Sequence, residues 1–277
     1  MPPKPPDYES KDYWENRFKS ETHFEWLGDG GDTIIPELVG YLLCRPPTRN
    51  TLPPLCLHIG AGASTLSNDM LRQYRTVYKT FRGPVIYNTD FAEEVVKRGN
   101  EVEQAKGPEV VWEHIDLLRW KDMLALKKRV LETKNSKFEL VVDKSTADAI
   151  ACSAEMEYTK ETLSSSPEDA HPLIHHELSQ SDLDNVSYHP VEILALHLAS
   201  LVAPGGVWIA LSYSANRFEF LEEGHEEEGL MTGLLWMVSR VATFATRPGS
   251  AEPGKHVPDV YHYLYVLQRT NEAIAVE

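Results

Sequence analysis

The chain has 277 residues, 42% of them hydrophobic, and a formal net charge of −15 at pH 7. That length can bury a full core, the acidic balance argues against general affinity for nucleic-acid phosphates, and no apolar stretch approaches the roughly 20 residues of a membrane span. Three cysteines, Cys44, Cys56 and Cys152, are widely spaced with no CxxC pair, which predicts reduced, buried thiols in an intracellular protein.

In chain order, the opening MPPKPPDYES (residues 1–10) is proline-rich and has no apolar signal-peptide centre, so it is expected as a disordered lead-in. A single domain is expected over residues 11–277. LCLHI reads as a buried strand, followed by a small-residue turn and a helix through TLSNDMLRQYR. GPVIYNTD (83–90) predicts a second strand and FAEEVVKRGNEVEQ a helix. VVWEHID (110–116) predicts a third strand ending on Asp116, with WKDMLALKKRVLET helical after it. KFELVVDK (137–144) is apolar enough for burial on both faces. The Ser- and acid-rich stretch 153–189 is expected as a long inserted loop. HPVEILALHLASLVAPGG has helical periodicity and ends on a Pro-Gly-Gly stop, before a fifth strand, GVWIALSYS (206–214). LLWMVSRVATFATRP fits a strand or a short helix plus strand; VYHYLYVLQRT (260–270) fits a final strand that can pair with it as a hairpin. Strands alternating with helices predict an α/β, Rossmann-like, mostly parallel sheet with helices on both faces.

In such a sheet ligands lie at the carboxyl ends of the strands, where strand order reverses. Gly60 and Gly62 permit close backbone approach, and the helix that follows offers N–H groups to an anion. A dinucleotide turn would want a third glycine where this chain has Thr65, and no lysine-bearing phosphate loop is present. The turn therefore suits a small anion such as a carboxylate better than a pyrophosphate, and a purely structural turn is the alternative. Asp90, 28 residues beyond Gly62, can accept from two ribose hydroxyls; Asp116 can accept from an adenine amine. Each also suits a helix N-cap. Asp90, Asp116 and Asp143 ending three successive strands beside a glycine turn describe a site for S-adenosylmethionine.

DYWENRF (12–18), FEWLG (24–28), LHIGAGAST, NTDFAEEVV (88–96), WEHIDLL (112–118) and FELVVDKSTADAI (138–150) occur in this order. In them the chain resembles the methyltransferase-like, seven-strand S-adenosylmethionine-dependent enzymes that methylate lysines of elongation factor 1-alpha. The resemblance spans residues 11 to about 150, with a fainter echo in PGGVWIALS and YHYLYVLQR. It implies a seven-stranded sheet with a C-terminal antiparallel strand, and cofactor contacts at Trp14, Phe18, Trp26, Gly60, Asp90, Phe91, Asp116, Leu117 and Lys144. Trp14 and Phe18 lie four apart on one helical face, and aromatic rings attract a sulfonium cation. The chain departs from the family at Ala61 and Ala63, where cysteine and asparagine are usual, and at Ser145, where DKST replaces DKGT.

Methyl transfer needs alignment more than protein-borne chemistry. An acceptor lysine, with an ordinary pKa of about 10.4, must lose a proton, and desolvation in an apolar pocket favours that loss. No single residue is therefore expected as an indispensable base. Asp148, four residues beyond Lys144, is the candidate for orienting the acceptor or stabilising the loop. His171, His175, His176 and His189 have no recognised metal spacing, so no metal site is expected. The acidic run EEGHEEEG (222–229) reads as a solvated face or as a contact for a basic protein partner. The expectation is a cytoplasmic methyltransferase of a protein lysine, with elongation factor 1-alpha as the implied substrate and no nucleic-acid or membrane partner. The alternatives are a small-molecule methyltransferase on the same core, or a catalytically silent cofactor-binding partner protein.

Overall fold

The computed structural model describes residues 6–45, 52–81, 83–107, 109–180, 182–222, 232–246 and 260–274. Helices α1 (Lys11–Ser20) and α2 (Ile34–Leu43) precede the first strand, β1 (Cys56–Ile59). Then β1, α3 (Leu66–Tyr78), β2 (Ile86–Asp90), α4 (Glu93–Lys106), β3 (Val110–His114), α5 (Trp120–Lys134) and β4 (Phe138–Lys144) alternate as the sequence predicts. The five residues of α6 (Thr146–Ile150) follow.

The stretch 153–189, expected as a loop, is instead built of β5 (Met156–Thr159), α7 (Lys160–Ser165), α8 (Pro172–Gln180) and β6 (Asn185–Tyr188). Its antiparallel β5–β6 pair and the buried Tyr158, Leu163, Ile174, Leu178 and Tyr188 explain the order: the apolar residues are sparse, but they converge on the main core. Helix α9 (Pro190–Leu201) runs into β7 (Val202–Ser212), so the strand starts four residues before the expected Gly206. Val202 pairs with Phe138 ahead of a register shift, which draws the Pro-Gly-Gly segment into the sheet. A four-residue helix, α10 (Thr232–Leu235), then leads into β8 (Trp236–Thr246), which forms an antiparallel ladder with β9 (Val260–Arg269).

The seven-stranded order is β3-β2-β1-β4-β7-β9-β8. The first five strands are parallel; β9 runs antiparallel to both neighbours. This is the expected Rossmann-like sheet. Period-two alternation divides its side chains: Leu57, Ile59 and Val141 join the core shared with α5 and α9, while Cys56, Leu140 and Val142 join the core shared with α2 and α3. Cys56 is buried, but Cys44 and Cys152 are exposed, contrary to the expectation of three buried thiols, because one follows α2 and the other follows α6. No helix among the described residues is long and apolar enough to cross a membrane.

Of the lead-in expected to be disordered, residues 6–10 are described and residues 1–5 lie outside the described residues. Ser10 caps α1 by accepting from the Tyr13 N–H, and Tyr8 packs edge-on to Trp26 at 5.3 Å. Helix α1 lies along α4 through reciprocal contacts: Glu15 accepts from the Glu93 N–H at 2.7 Å, and Arg98 donates to the Phe18 carbonyl at 3.1 Å. The acidic run falls mostly at 223–229, outside the described residues.

Candidate active site

Crossovers from β1 and β4 leave in opposite directions, and the turns after these adjacent strands frame a cavity of about 510 Å³. Eleven of the residues singled out in the sequence line it, Trp14, Phe18, Trp26, Gly60, Gly62, Asp90, Phe91, Asp116, Leu117, Lys144 and Asp148, whereas Asp143 does not. The cavity volume falls in the roughly 300–1,000 Å³ range of small-molecule sites.

The turn after β1 requires its first glycine. Gly60 has φ +53°, and a Cβ there would stand 2.2 Å from Thr146 Oγ1, which donates to the Ile59 carbonyl at 3.0 Å. Gly62 has φ +54°, and a Cβ there would meet the Phe18 ring at 3.4 Å. The Gly62 N–H and that of Ala92 each donate to the Asp90 carboxylate at 2.9 Å. Asp90 is thus fixed between two turns at the end of β2. Burial raises its pKa to about 6, against the opposing pull of those two N–H groups. Asp116 lies beyond the end of β3 at His114, not within the strand as expected. Its carboxylate accepts from the Leu118 N–H at 3.0 Å and its own N–H donates to Asp122 at 3.1 Å, which curls the backbone into a turn.

One wall comes from the N-terminal segment. Trp14 stacks on Phe18 at 5.6 Å between ring centroids and donates from Nε1 to the Tyr8 carbonyl at 2.7 Å. The Arg17 guanidinium lies 4.1 Å from the centre of the Phe24 ring. Trp26 meets Tyr8, Trp14, Phe24 and Tyr213 through its ring edges and faces, while its buried Nε1–H has no hydrogen-bond partner among the described residues.

The other wall follows β4. Asp143 accepts from the Thr146 N–H at 2.8 Å; burial, with nearby Asp148 adding to it, raises its pKa to about 7. Lys144 is buried and bonds Glu25 and the Gly28 carbonyl; desolvation lowers its pKa against the opposing effect of Glu25. Ser145 occupies the left-handed region at φ +68°, a conformation that glycine adopts without steric cost. Asp148 is enclosed by donors: Ser145 Oγ at 2.9 Å, Ser212 Oγ at 2.5 Å, the Tyr213 N–H at 3.0 Å and Arg217.

Sequence reasoning missed Tyr8, Phe24, His58, Tyr213 and Arg217, which also line the cavity. It also placed the anion at the start of α3 in a ligand, whereas Glu25 holds the Thr65 N–H there at 2.8 Å. His58 had a legible signal, a polar residue inside an otherwise apolar strand. It bonds Ser67 at 2.8 Å, and burial with nearby Lys144 lowers its pKa to about 4. The histidines of the inserted stretch serve the fold. His171 packs on Trp120 and bonds Ser200, His175 bonds the Pro167 carbonyl, and His189 accepts from the Val191 N–H.

No protein-family model matches the chain. Methyltransferase srdJ of Neurospora crassa is 30% identical over 267 residues, covering 96% of this chain and 86% of that protein. An eEF1A lysine and N-terminal methyltransferase of Mus musculus is 24% identical over 265 residues, covering 93% of this chain but 29% of that protein. Among solved structures, a SAM-dependent methyltransferase of Anabaena variabilis aligns with a TM-score of 0.51 over 97% of this chain and 96% of its own, at 9% identity, a likeness of fold alone. Kinship along nearly the whole length of srdJ makes the assignment: this chain belongs to the S-adenosylmethionine-dependent methyltransferases.

Proposed function

We propose that the chain transfers a methyl group from S-adenosylmethionine to a lysine of a protein such as elongation factor 1-alpha, in the cytoplasm. The observation that carries the cofactor half of this reading is the fixed Asp90 carboxylate. Two backbone N–H groups hold it at the strand end, one on each oxygen, so each oxygen retains a lone pair for a ribose hydroxyl. Asp116 and Leu117 then flank the adenine, Gly60 and Gly62 the amino-acid end, and Trp14, Phe18, Trp26 and Phe91 the space between. The Trp26 Nε1–H, which has no partner among the described residues, fits an acceptor on a polar group bound in this cavity.

S-adenosylmethionine supplies an electrophilic methyl group on a sulfonium. The chain's residues supply position and dryness: the rings of Tyr8, Trp26 and Tyr213 strip water from an entering amine and favour its neutral form. Asp148 has its carboxylate filled by donors from three neighbouring segments and is not placed as a proton acceptor. We assign it the role of holding Tyr213 and Arg217 in the wall.

The lysine acceptor draws support from the name of the mouse relative and from the chain's charge of −15, which complements a basic substrate. A second reading, a small-molecule acceptor on the same core, draws on the polar side chain of Arg217, which lines the cavity while paired to Asp148. Incubation with radiolabelled cofactor and cell extract tests both. Label in a protein band, traced to lysine by mass spectrometry, supports the first; label only in small metabolites replaces it with the second. Cofactor binding without any transfer overturns both.

A further inference from the structure

Glu15 and Glu25 both end on a helix whose N-cap residue makes no side-chain capping bond of its own. Thr65 before α3 and Ala92 before α4 make no such bond. Glu15 accepts from Glu93 at the start of α4, and Glu25 accepts from the Thr65 N–H at 2.8 Å. The strap that joins α1 to α2 is thereby tied to the same rim that frames the cavity.

Glu25 is bound more fully than a cap requires. Ser64 Oγ donates to it at 2.7 Å, Thr65 Oγ1 at 3.2 Å, and Lys144 closes on it as an ion pair. Its carboxylate is thus filled by protein donors. Phe24 and Trp26 line the cavity, but Glu25 between them does not, as alternation in an extended segment dictates. Lys144, for its part, spends two of its three N–H groups on the strap, at Glu25 and at the Gly28 carbonyl 2.9 Å away. Its charge is neutralised at short range before any ligand arrives.

We propose that Glu25 is a positioning residue of the cofactor site, and that Lys144 serves the cofactor through Glu25 instead of by a contact from its ammonium. The pair latches the strap across the glycine turn and so sets Phe24 and Trp26 in the cavity wall. The inference needs only cofactor binding and is independent of the acceptor. It makes the two charges useful together and harmful apart, because either one alone is left buried without its partner.

Calorimetry with S-adenosylhomocysteine on the wild type, Glu25→Gln, Lys144→Met and the double variant tests it. Each single variant is expected to bind about tenfold or more weakly, and the double variant to recover to within about threefold of the wild type, since glutamine keeps an acceptor for Thr65. The cofactor-induced change in tryptophan emission should vanish and return in the same pattern. A double variant as weak as Lys144→Met overturns the proposal, because that is the signature of a direct contact. A second ligand, 5′-methylthioadenosine, lacks the amino-acid end. The latch predicts that Lys144→Met weakens both ligands in parallel; loss confined to S-adenosylhomocysteine contradicts it. Thermal unfolding verifies that each variant folds. Should Lys144→Met not fold, Glu25→Gln serves for the two-ligand comparison, with the same expected and contradicting results.

Discussion

Arg217 grips Asp148 with two nitrogens on one carboxylate oxygen, Nε at 2.9 Å and Nη2 at 2.8 Å. With the Ser212 and Tyr213 donors, this joins α6 to the loop after β7 across the cavity wall. Asp148→Ala leaves a mostly buried guanidinium unpaired. It should destabilise the protein by about 2–3 kcal/mol, somewhat less than the loss from a fully buried broken pair. Asp148→Asn, whose single amide oxygen keeps an acceptor for Ser145 and the Tyr213 N–H, should lose less. Thermal unfolding gives the ranking, and equal losses for the two variants would contradict the account.

Ser145 holds a left-handed backbone, which costs a residue with a side chain about 1–2 kcal/mol. Its hydroxyl returns about 1 kcal/mol through the bond to Asp148. Ser145→Gly should therefore be near neutral, exchanging strain relief for the lost bond. Ser145→Ala keeps the strain and loses the bond, so it should be less stable by about 1 kcal/mol. Denaturant unfolding measures both, and an alanine variant more stable than the glycine variant would refute the strain argument.

Burial raises Asp90 to about 6 and Asp143 to about 7. Both lie above the ordinary carboxylate range, so the native state holds protons that the unfolded chain has released. Their contribution to stability is fully present below about pH 4 and is lost as pH rises through 6 to 7. Cofactor affinity should move the other way, because a protonated Asp90 loses acceptor capacity for a ribose. Calorimetry from pH 5 to 8 should show affinity falling below about pH 6, with a flatter profile in Asp90→Asn. The same profile in both proteins would assign the dependence to another group, Asp143 first.

Gly60→Ala places a methyl 2.2 Å from Thr146 Oγ1 on a backbone that already has positive φ. It should weaken cofactor binding at least tenfold and lower the unfolding temperature. Adding Thr146→Ala should recover part of the loss but not the share due to φ, about 1–2 kcal/mol. Full recovery would mean that the contact alone dictates the glycine.

The parallel half of the sheet was legible because each strand announces itself locally. CLHI and ELVVDK are apolar runs closed by turn residues, and the helices between them show their own periodicity. Asp90 and the glycine turn were legible for the same reason, as punctuation at strand ends. Glu25 was not, because its partners Ser64, Thr65 and Lys144 lie 39 to 119 residues away and the segment around it has no regular structure. The order of residues 153–189 escaped notice because Tyr158, Ile174 and Tyr188 carry no single period and gain their burial from α9 and the main core. Arg217 and Tyr213 depend likewise on Asp148, 69 and 65 residues before them.

The central claim is that the cofactor spans the rim with its ribose on Asp90. Titration calorimetry of S-adenosylhomocysteine into the wild type and Asp90→Ala measures it most directly. The account predicts one site per chain in the wild type and a loss of at least tenfold in the variant, whose thermal unfolding should remain cooperative. Equal affinity in a folded Asp90→Ala variant, or no binding to the wild type at millimolar ligand, would contradict it.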